Sequence, residues 1–205
     1  MSNEGKIQRS ALWMVLLLAI GASGGYYFWD EFGRDRENLP VIATLPNFNL
    51  TERSGESFGL SKLHGKINVV NFFFTTCTMI CPTMNGKMAN LYSQFADLEK
   101  VQFVSITVDP AQDSLAVLQK YAEQFGVTDN RWSFLRGTQE QTMQLAEKGF
   151  MLSGSIEHSG KLVLIDKSGA IRGYYDYNDD AQIETLEADI AILLHSQFGQ
   201  IIESK

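Results

Sequence analysis

The chain has 205 residues, 44% hydrophobic and 20% charged, the composition of a globular protein with a real core and not of a disordered one. Its formal net charge of −7 at pH 7, with no long run of Lys or Arg, lacks the basic footprint that nucleic-acid binding needs. Two cysteines are too few for a disulfide scaffold, and lying four positions apart they would close a loop too short to restrain the unfolded chain.

Lys6 and Arg9 precede a run from Ala11 to Trp29 without a charged residue. The part from Ala11 to Ile20 has the length of a signal-peptide core, and Ala22, Ser23 and Gly24 would suit cleavage behind it. Counted through Trp29, the run approaches the roughly 20 residues that span a bilayer. Tyr26, Tyr27, Phe28 and Trp29 form an aromatic cluster of the kind found at a membrane interface, which favours an uncleaved anchor. No cysteine follows the run, which argues against a lipoprotein. The two cations are expected to stay in the cytoplasm and send the rest of the chain outwards. A short segment that contains Glu4 and is not Arg-rich is a poor mitochondrial presequence. The expected organisation is a cytoplasmic N-terminus over 1–10, a transmembrane anchor over 11–29, a charged linker over 30–40 and a folded domain over 41–205, on a bacterial inner membrane and facing the periplasm.

From Val41 onward strands and helices alternate. Phe48 and Leu50, then Phe58 and Leu60, suggest short antiparallel elements around a turn at Ser54-Gly55. Ile67 to Phe74 is an almost continuous β-branched and aromatic run, as in a strand buried on both faces. Met84, Met88, Leu91, Phe95 and Leu98 recur at helical spacing, so a helix is expected over Met84 to Leu98. Val101 to Val108 alternates around Phe103 to Val108 and reads as a second central strand, and Ser114 to Phe125 as an amphipathic helix capped by Ser114 or Asp113; Asp109 and Asp113, lying after that strand, could equally orient the site or meet a partner. Trp132 to Leu135 is a short strand, and Glu140 to Lys148 a helix stopped by Gly149. Leu162 to Ile165 and Ile171 to Tyr175 flank Lys167-Ser168-Gly169 as a hairpin. A last helix runs from about Asp180 to Phe198 with Ile183, Leu186, Ile190, Leu193 and Leu194 on one face. This order gives an α/β fold, a central mixed sheet flanked by helices.

Chemistry concentrates at Cys77 and Cys81, just after a buried strand and at the start of a helix. Ligands in α/β sheets collect at the carboxyl ends of strands. The free N–H groups of a helix N-terminus favour a thiolate. Pro82 fits the first helical turn, and a four-residue separation puts both sulfurs on one side of such a turn. Such a pair can bind one metal ion or close to a disulfide. Three residues, Thr78, Met79 and Ile80, separate the cysteines, where a thioredoxin-like oxidoreductase has two. Of the three histidines, His64 reads as a surface turn residue and His195 as a structural residue of the last helix. His158 stands in a loop before the hairpin and is the candidate third ligand. Two thiolates and an imidazole make a soft, incomplete donor set that suits Cu(I), zinc or an iron–sulfur cluster, and can also hold Cu(II). Met79, Met84, Met88 and Met151 offer thioethers, although the spacing of Met84 and Met88 reads as core.

With these residues in place the chain resembles the SCO/SenC copper chaperones, which assist assembly of the binuclear copper centre of cytochrome c oxidase. The resemblance covers Pro46 to Tyr175. It rests on Gly65-Lys66, on the run from Asn71 through Cys77 to Cys81-Pro82-Thr83, on Ser105 to Pro110 with Asp113, on His158-Ser159 and on the hairpin glycine Gly169. It implies a thioredoxin-like fold, copper held as Cu(I) or Cu(II) by Cys77, Cys81 and His158, and thiol–disulfide exchange with the copper-bearing oxidase subunit. Other periplasmic copper chaperones or thioredoxin-like reductants are further implied partners. Thr78 and Met79 stand where the family usually carries a proline and often an acidic residue, and Glu157 replaces the common aspartate before the histidine.

Three functional classes follow: a copper-transfer assembly factor, a thiol–disulfide reductase with Cys77 attacking and Cys81 resolving, and a redox or copper sensor. A thioredoxin-fold peroxidase fits less well, because no Arg lies between Arg53 and Arg131.

Overall fold

The computed structural model describes residues 39–152 and 159–203, with side chains as far as His195. The proposed anchor, the linker up to Asn38 and His158 lie outside the described residues. Among the described residues no helix is long and apolar enough to cross a membrane.

Two strands without an exposed residue form the centre, β4 (Ile67–Phe73) and β5 (Val101–Thr107). Val, Ile and Phe predominate in them, as a strand covered on both faces requires, and the polar residues among them are buried as well. They pair in parallel, and β6 (Trp132–Arg136) adds in parallel to β5. A parallel pair needs a crossover, supplied here by α1 (Ile80–Gln94) between β4 and β5 and α2 (Leu115–Gln124) between β5 and β6. On the other side of β4 the hairpin β7 (Lys161–Ile165) and β8 (Ala170–Asp176) runs antiparallel. β1 (Ala43–Thr44) pairs with β8 at one edge, while β2 (Asn49–Glu52) and β3 (Ser57–Gly59) extend the other edge beyond β6. The eight strands thus form one mixed sheet, ordered β1-β8-β7-β4-β5-β6-β2-β3.

The pleat sorts side chains onto two faces. Val70, Phe72, Val104, Ile106, Leu135, Val163 and Ile165 belong to one core with Leu145, Ala146 and Phe150. The opposite face carries Asn71, Phe73, Ser105, Thr107 and Phe134, which meet α1 and α2; there Phe73 stacks on Tyr121 at 5.1 Å between ring centroids. The final helix, α4 (Asp180–Glu203), buries Ile183, Leu186, Ile190 and Leu193 as its spacing predicts.

Several expected boundaries move. The helix expected over 84–98 begins at Ile80 and ends at Gln94, because the Cys77 sulfur caps an earlier turn and the chain folds back at Phe95; Leu98 lies in the following turn and is 40% exposed. Leu60 opens a 3-10 turn and does not extend β3. The segment expected as one helix over 140–148 is α3 (Gln139–Gln144), started by a Thr138/Gln141 capping box, followed by a π-helical turn over Leu145–Gly149. The last helix continues past Phe198 to Glu203, and β1 is too short to leave a periodic signal. The hairpin turn holds, with Gly169 at φ +84°, a conformation that favours glycine.

A buried polar chain crosses the α1/α2 face. Trp132 Nε1 donates to Ser105 Oγ at 2.9 Å, and Ser105 Oγ donates to Asn71 Oδ1 at 2.6 Å. Asn71 Nδ2 donates to Asn85 Oδ1 at 2.7 Å, and Asn85 Nδ2 to the Tyr121 hydroxyl at 3.0 Å. It ties β6, β5, β4, α1 and α2 together, and Asn85 is the link between the two helices and the sheet. Asn85→Ala leaves the Asn71 donor and the Tyr121 hydroxyl without it in a dry core. The expected loss is roughly 2–3 kcal/mol of unfolding free energy, read from urea denaturation; an unchanged midpoint contradicts this account.

Candidate functional site

The site forms where β4 ends. After Phe73 the chain turns, with the Cys77 N–H donating to the Phe74 carbonyl at 3.3 Å, and α1 starts three residues later. A helix start leaves N–H groups without partners, which a Ser, Thr, Asp or Asn cap usually accepts. Here the cap position is held by Met79, whose side chain accepts nothing. The Cys77 sulfur does that work. Cys81 N–H donates to Cys77 Sγ at 3.4 Å, and the backbone amides of Met79 and Ile80 also act to lower the Cys77 pKa. Pro82, third in the helix, has no N–H to satisfy.

The two thiols, both free, therefore differ in kind. Cys77 is half-buried. Burial works to raise its pKa, but the amides of Cys81, Met79 and Ile80 together with the Cys81 thiol hold it below the ordinary thiol value. Cys81 is fully buried, and burial pushes it up to about 12, with negative charge on Cys77 and Asp113 acting in the same direction. One sulfur is half-buried, with its pKa lowered; the other is enclosed and keeps its proton.

Of the roles the sequence leaves open for Asp113, capping α2 is not the one it plays. Ser114 caps α2, accepting from Val117 N–H at 3.3 Å. The Asp113 carboxylate, fully buried, instead accepts from the Thr75 N–H at 3.2 Å, the Thr75 hydroxyl at 2.5 Å and the Thr107 hydroxyl. It thereby joins the loop that carries Cys77 to the end of β5, and no cation pairs with it among the described residues. A threonine just before the CxxxC loop, Thr75, and another just before a DPxxD turn, Thr107, are the signal that could have found it. Asp109 has a local role, accepting from Gln112 N–H at 3.3 Å.

The histidines separate by position. His64 is exposed before β4, at the end of the strand opposite Cys77, with seven strand residues between. His195 is exposed on α4 with Nδ1 2.7 Å from the Ala191 carbonyl, so it lies on the surface and not among the core residues of that helix. β7 pairs with β4 so that Val163 lies opposite Val70. Its first residue, Lys161, therefore lies at the carboxyl end of β4, the end that leads to Cys77. His158 itself lies outside the described residues. Among the described residues no group of three His, Cys, Asp or Glu side chains forms a metal site. The pair of sulfurs is a soft donor set that fits a thiophilic ion such as copper.

A family model described as SCO1/SenC matches residues 37–195. The chain belongs to the SCO1/SenC family. These are thioredoxin-like Sco proteins involved in cytochrome c oxidase assembly, and the mixed sheet with its flanking helices is that thioredoxin-like α/β fold. A candidate copper-binding protein of Stutzerimonas stutzeri is 31% identical over 149 residues, 66% of this chain and 71% of that one. The thiol-disulfide oxidoreductase ResA of Geobacillus kaustophilus is 30% identical over 167 residues, 81% of this chain and 84% of that one. The crystal structure of a SCO1/SenC family lipoprotein from Bacillus anthracis superposes with a TM-score of 0.68 at 28% identity, covering 76% of this chain and 98% of that one.

The asymmetry of the thiols is directly measurable. Iodoacetamide is expected to modify Cys77 in the folded, reduced protein, at a rate that rises with pH and levels off below the pH typical of a free thiol. Cys81 is expected to react only on unfolding. Mass spectrometry of timed digests gives both rates, and equal labelling of the two cysteines contradicts the assignment.

Proposed function

We propose that the chain is a membrane-anchored copper-binding factor that serves assembly of the cytochrome c oxidase copper centre. Copper is its cargo, held by Cys77, Cys81 and His158. The observation that carries the reading is the paired placement of Cys77 and Cys81 at the carboxyl end of β4, with the Cys81 amide on the Cys77 sulfur. Membership of the SCO1/SenC family supports it, as does the topology that starts β7 at the same end of β4. The ion would meet the accessible Cys77 sulfur first and draw in Cys81, whose proton leaves as the second thiolate forms. An open coordination position suits transfer to the apo-oxidase by ligand exchange better than permanent retention. In this reading residues 1–10 are cytoplasmic, 11–29 span the inner membrane, 30–40 are a linker and 41–205 present the site in the periplasm.

The unequal thiols favour a second reading, a thiol–disulfide reductase for the oxidase copper-site cysteines, in line with the relationship to ResA. Cys77 thiolate would attack the partner disulfide, forming a mixed disulfide and releasing one partner thiolate. Cys81, deprotonated, would then attack the Cys77 sulfur and release the second. Two electrons pass to the partner, and the Cys77–Cys81 disulfide remains.

The copper content of the full-length chain, purified in detergent and reduced, separates the readings. One tightly held copper, lost in both Cys77→Ser and His158→Ala, is the expected outcome. No retained copper, together with a reducible Cys77–Cys81 disulfide that persists in His158→Ala, overturns the copper reading in favour of the reductase.

A further inference from the structure

The structure confirms the core methionines that spacing marked and separates the rest. Met84 and Met88 are fully buried against the sheet, and Met143 packs on the core. Met151 is 57% exposed but stands on a different segment, after the π-helical turn. Met79 is 75% exposed and lies two residues from each cysteine. A single exposed apolar side chain is ordinary, so position must carry the argument.

Three observations single Met79 out. It stands midway between Cys77 and Cys81 on the turn that the Cys81 N–H closes onto the Cys77 sulfur at 3.4 Å, so its side chain branches from the backbone of the site. It holds the cap position of α1, where a small polar residue would stabilise the helix by about 1 kcal/mol, and it makes no cap hydrogen bond. Its exposure shows that it serves no packing. What remains is a flexible, polarizable thioether tethered beside two thiols, and such donors prefer Cu(I).

We propose that Met79 is a copper ligand, a thioether that joins Cys77 and Cys81 in a sulfur-rich site selective for Cu(I). This rests on the copper reading given above. Because both neighbours of Met79 in the loop, Thr78 and Ile80, are uncharged and lack a soft donor, the loop itself supplies sulfur and nothing else to an entering ion. A neutral thioether adds softness without a further negative charge beside the two thiolates. It is also the most exposed of the three sulfur side chains, which makes it the donor an acceptor protein would displace first.

The test uses the full-length chain labelled with selenomethionine, reduced, in detergent and loaded anaerobically with Cu(I). X-ray absorption at the copper edge is expected to show a copper–selenium path that disappears in Met79→Leu. Competition with bicinchoninate is expected to show Cu(I) affinity lower by at least about tenfold in that variant. Thermal melting of the apo forms should coincide, since the side chain is exposed. A wild-type chain that takes up no Cu(I) overturns the copper reading and this inference with it. Bound Cu(I) without a selenium path, or a path that survives Met79→Leu, leaves the copper reading intact and overturns the role of Met79. Weaker binding with an unaltered copper environment assigns the effect to packing and overturns it equally.

Discussion

The fold brings two loops to one edge of the sheet, and the buried Asp113 carboxylate locks them together. β4 and β5 are parallel, so both hand over to their crossovers at the same end. The Thr75 N–H and hydroxyl come from the first loop and the Thr107 hydroxyl from the end of the second strand, and all three converge on Asp113. A carboxylate in the core is costly unless donors surround it. Here those donors are supplied by the segments that must stay in register for Cys77 to stand over α1. The same charge bears on Cys81 and Tyr121, so the clamp that holds the loop also biases the chemistry beneath it.

From that constraint the inequality of the two thiols follows. Cys77 lies outside the helix and faces its free amides; Cys81 lies inside the first turn and faces the core. A single sulfur stands where a polar cap residue would normally sit, so the start of α1 is written by the functional residue itself. Fold and function are not separable here: the atom that completes the helix is the atom that would meet a cargo ion or a partner disulfide. The polar chain from Trp132 through Asn71 and Asn85 to Tyr121 fixes α1 and α2 against the sheet on the same face.

Much of this was legible in the sequence, and the failures have physical reasons. The nearly continuous apolar run at Ile67 marked one central strand and the alternation after Val101 the other, and both prove buried throughout. The hairpin was marked by its turn glycine, and the junction of strand and helix by Cys77, Cys81 and Pro82. The helix start was misjudged because hydrophobic spacing begins only at Met84, whereas the first turn is set by sulfur–amide contacts that no periodicity records. Asp113 stayed ambiguous between a cap and a site-orienting residue because a carboxylate before Ser114 looks like a cap; the partner that decides it, Thr75, lies 38 residues away. The π-helical turn after α3 depends on packing around Leu145 and Gly149, again a tertiary effect. Spacing already marked Met84 and Met88 as core, and burial bears that out, whereas Met79 and Met151, on no periodic face, could be placed at the surface only once burial was known.

The charge balance at the site limits what it can hold. It joins a Cys77 thiol whose pKa the neighbouring amides lower, an enclosed Cys81 thiol and a buried carboxylate nearby. A second thiolate at Cys81 would add negative charge to a dry pocket that already contains Asp113, which is why burial and Coulomb repulsion both keep its proton in place. Only a compensating event makes that thiolate tolerable: a cation bound between the sulfurs, or a covalent bond from Cys81 to Cys77. Both proposed activities are those two events, so the dithiol stays poised until one of them arrives. The uncharged loop from Thr78 to Ile80 sharpens the choice. It brings no carboxylate to attract a hard ion and no lysine to stabilise a free second thiolate, and so leaves soft-donor chemistry at the sulfurs to decide.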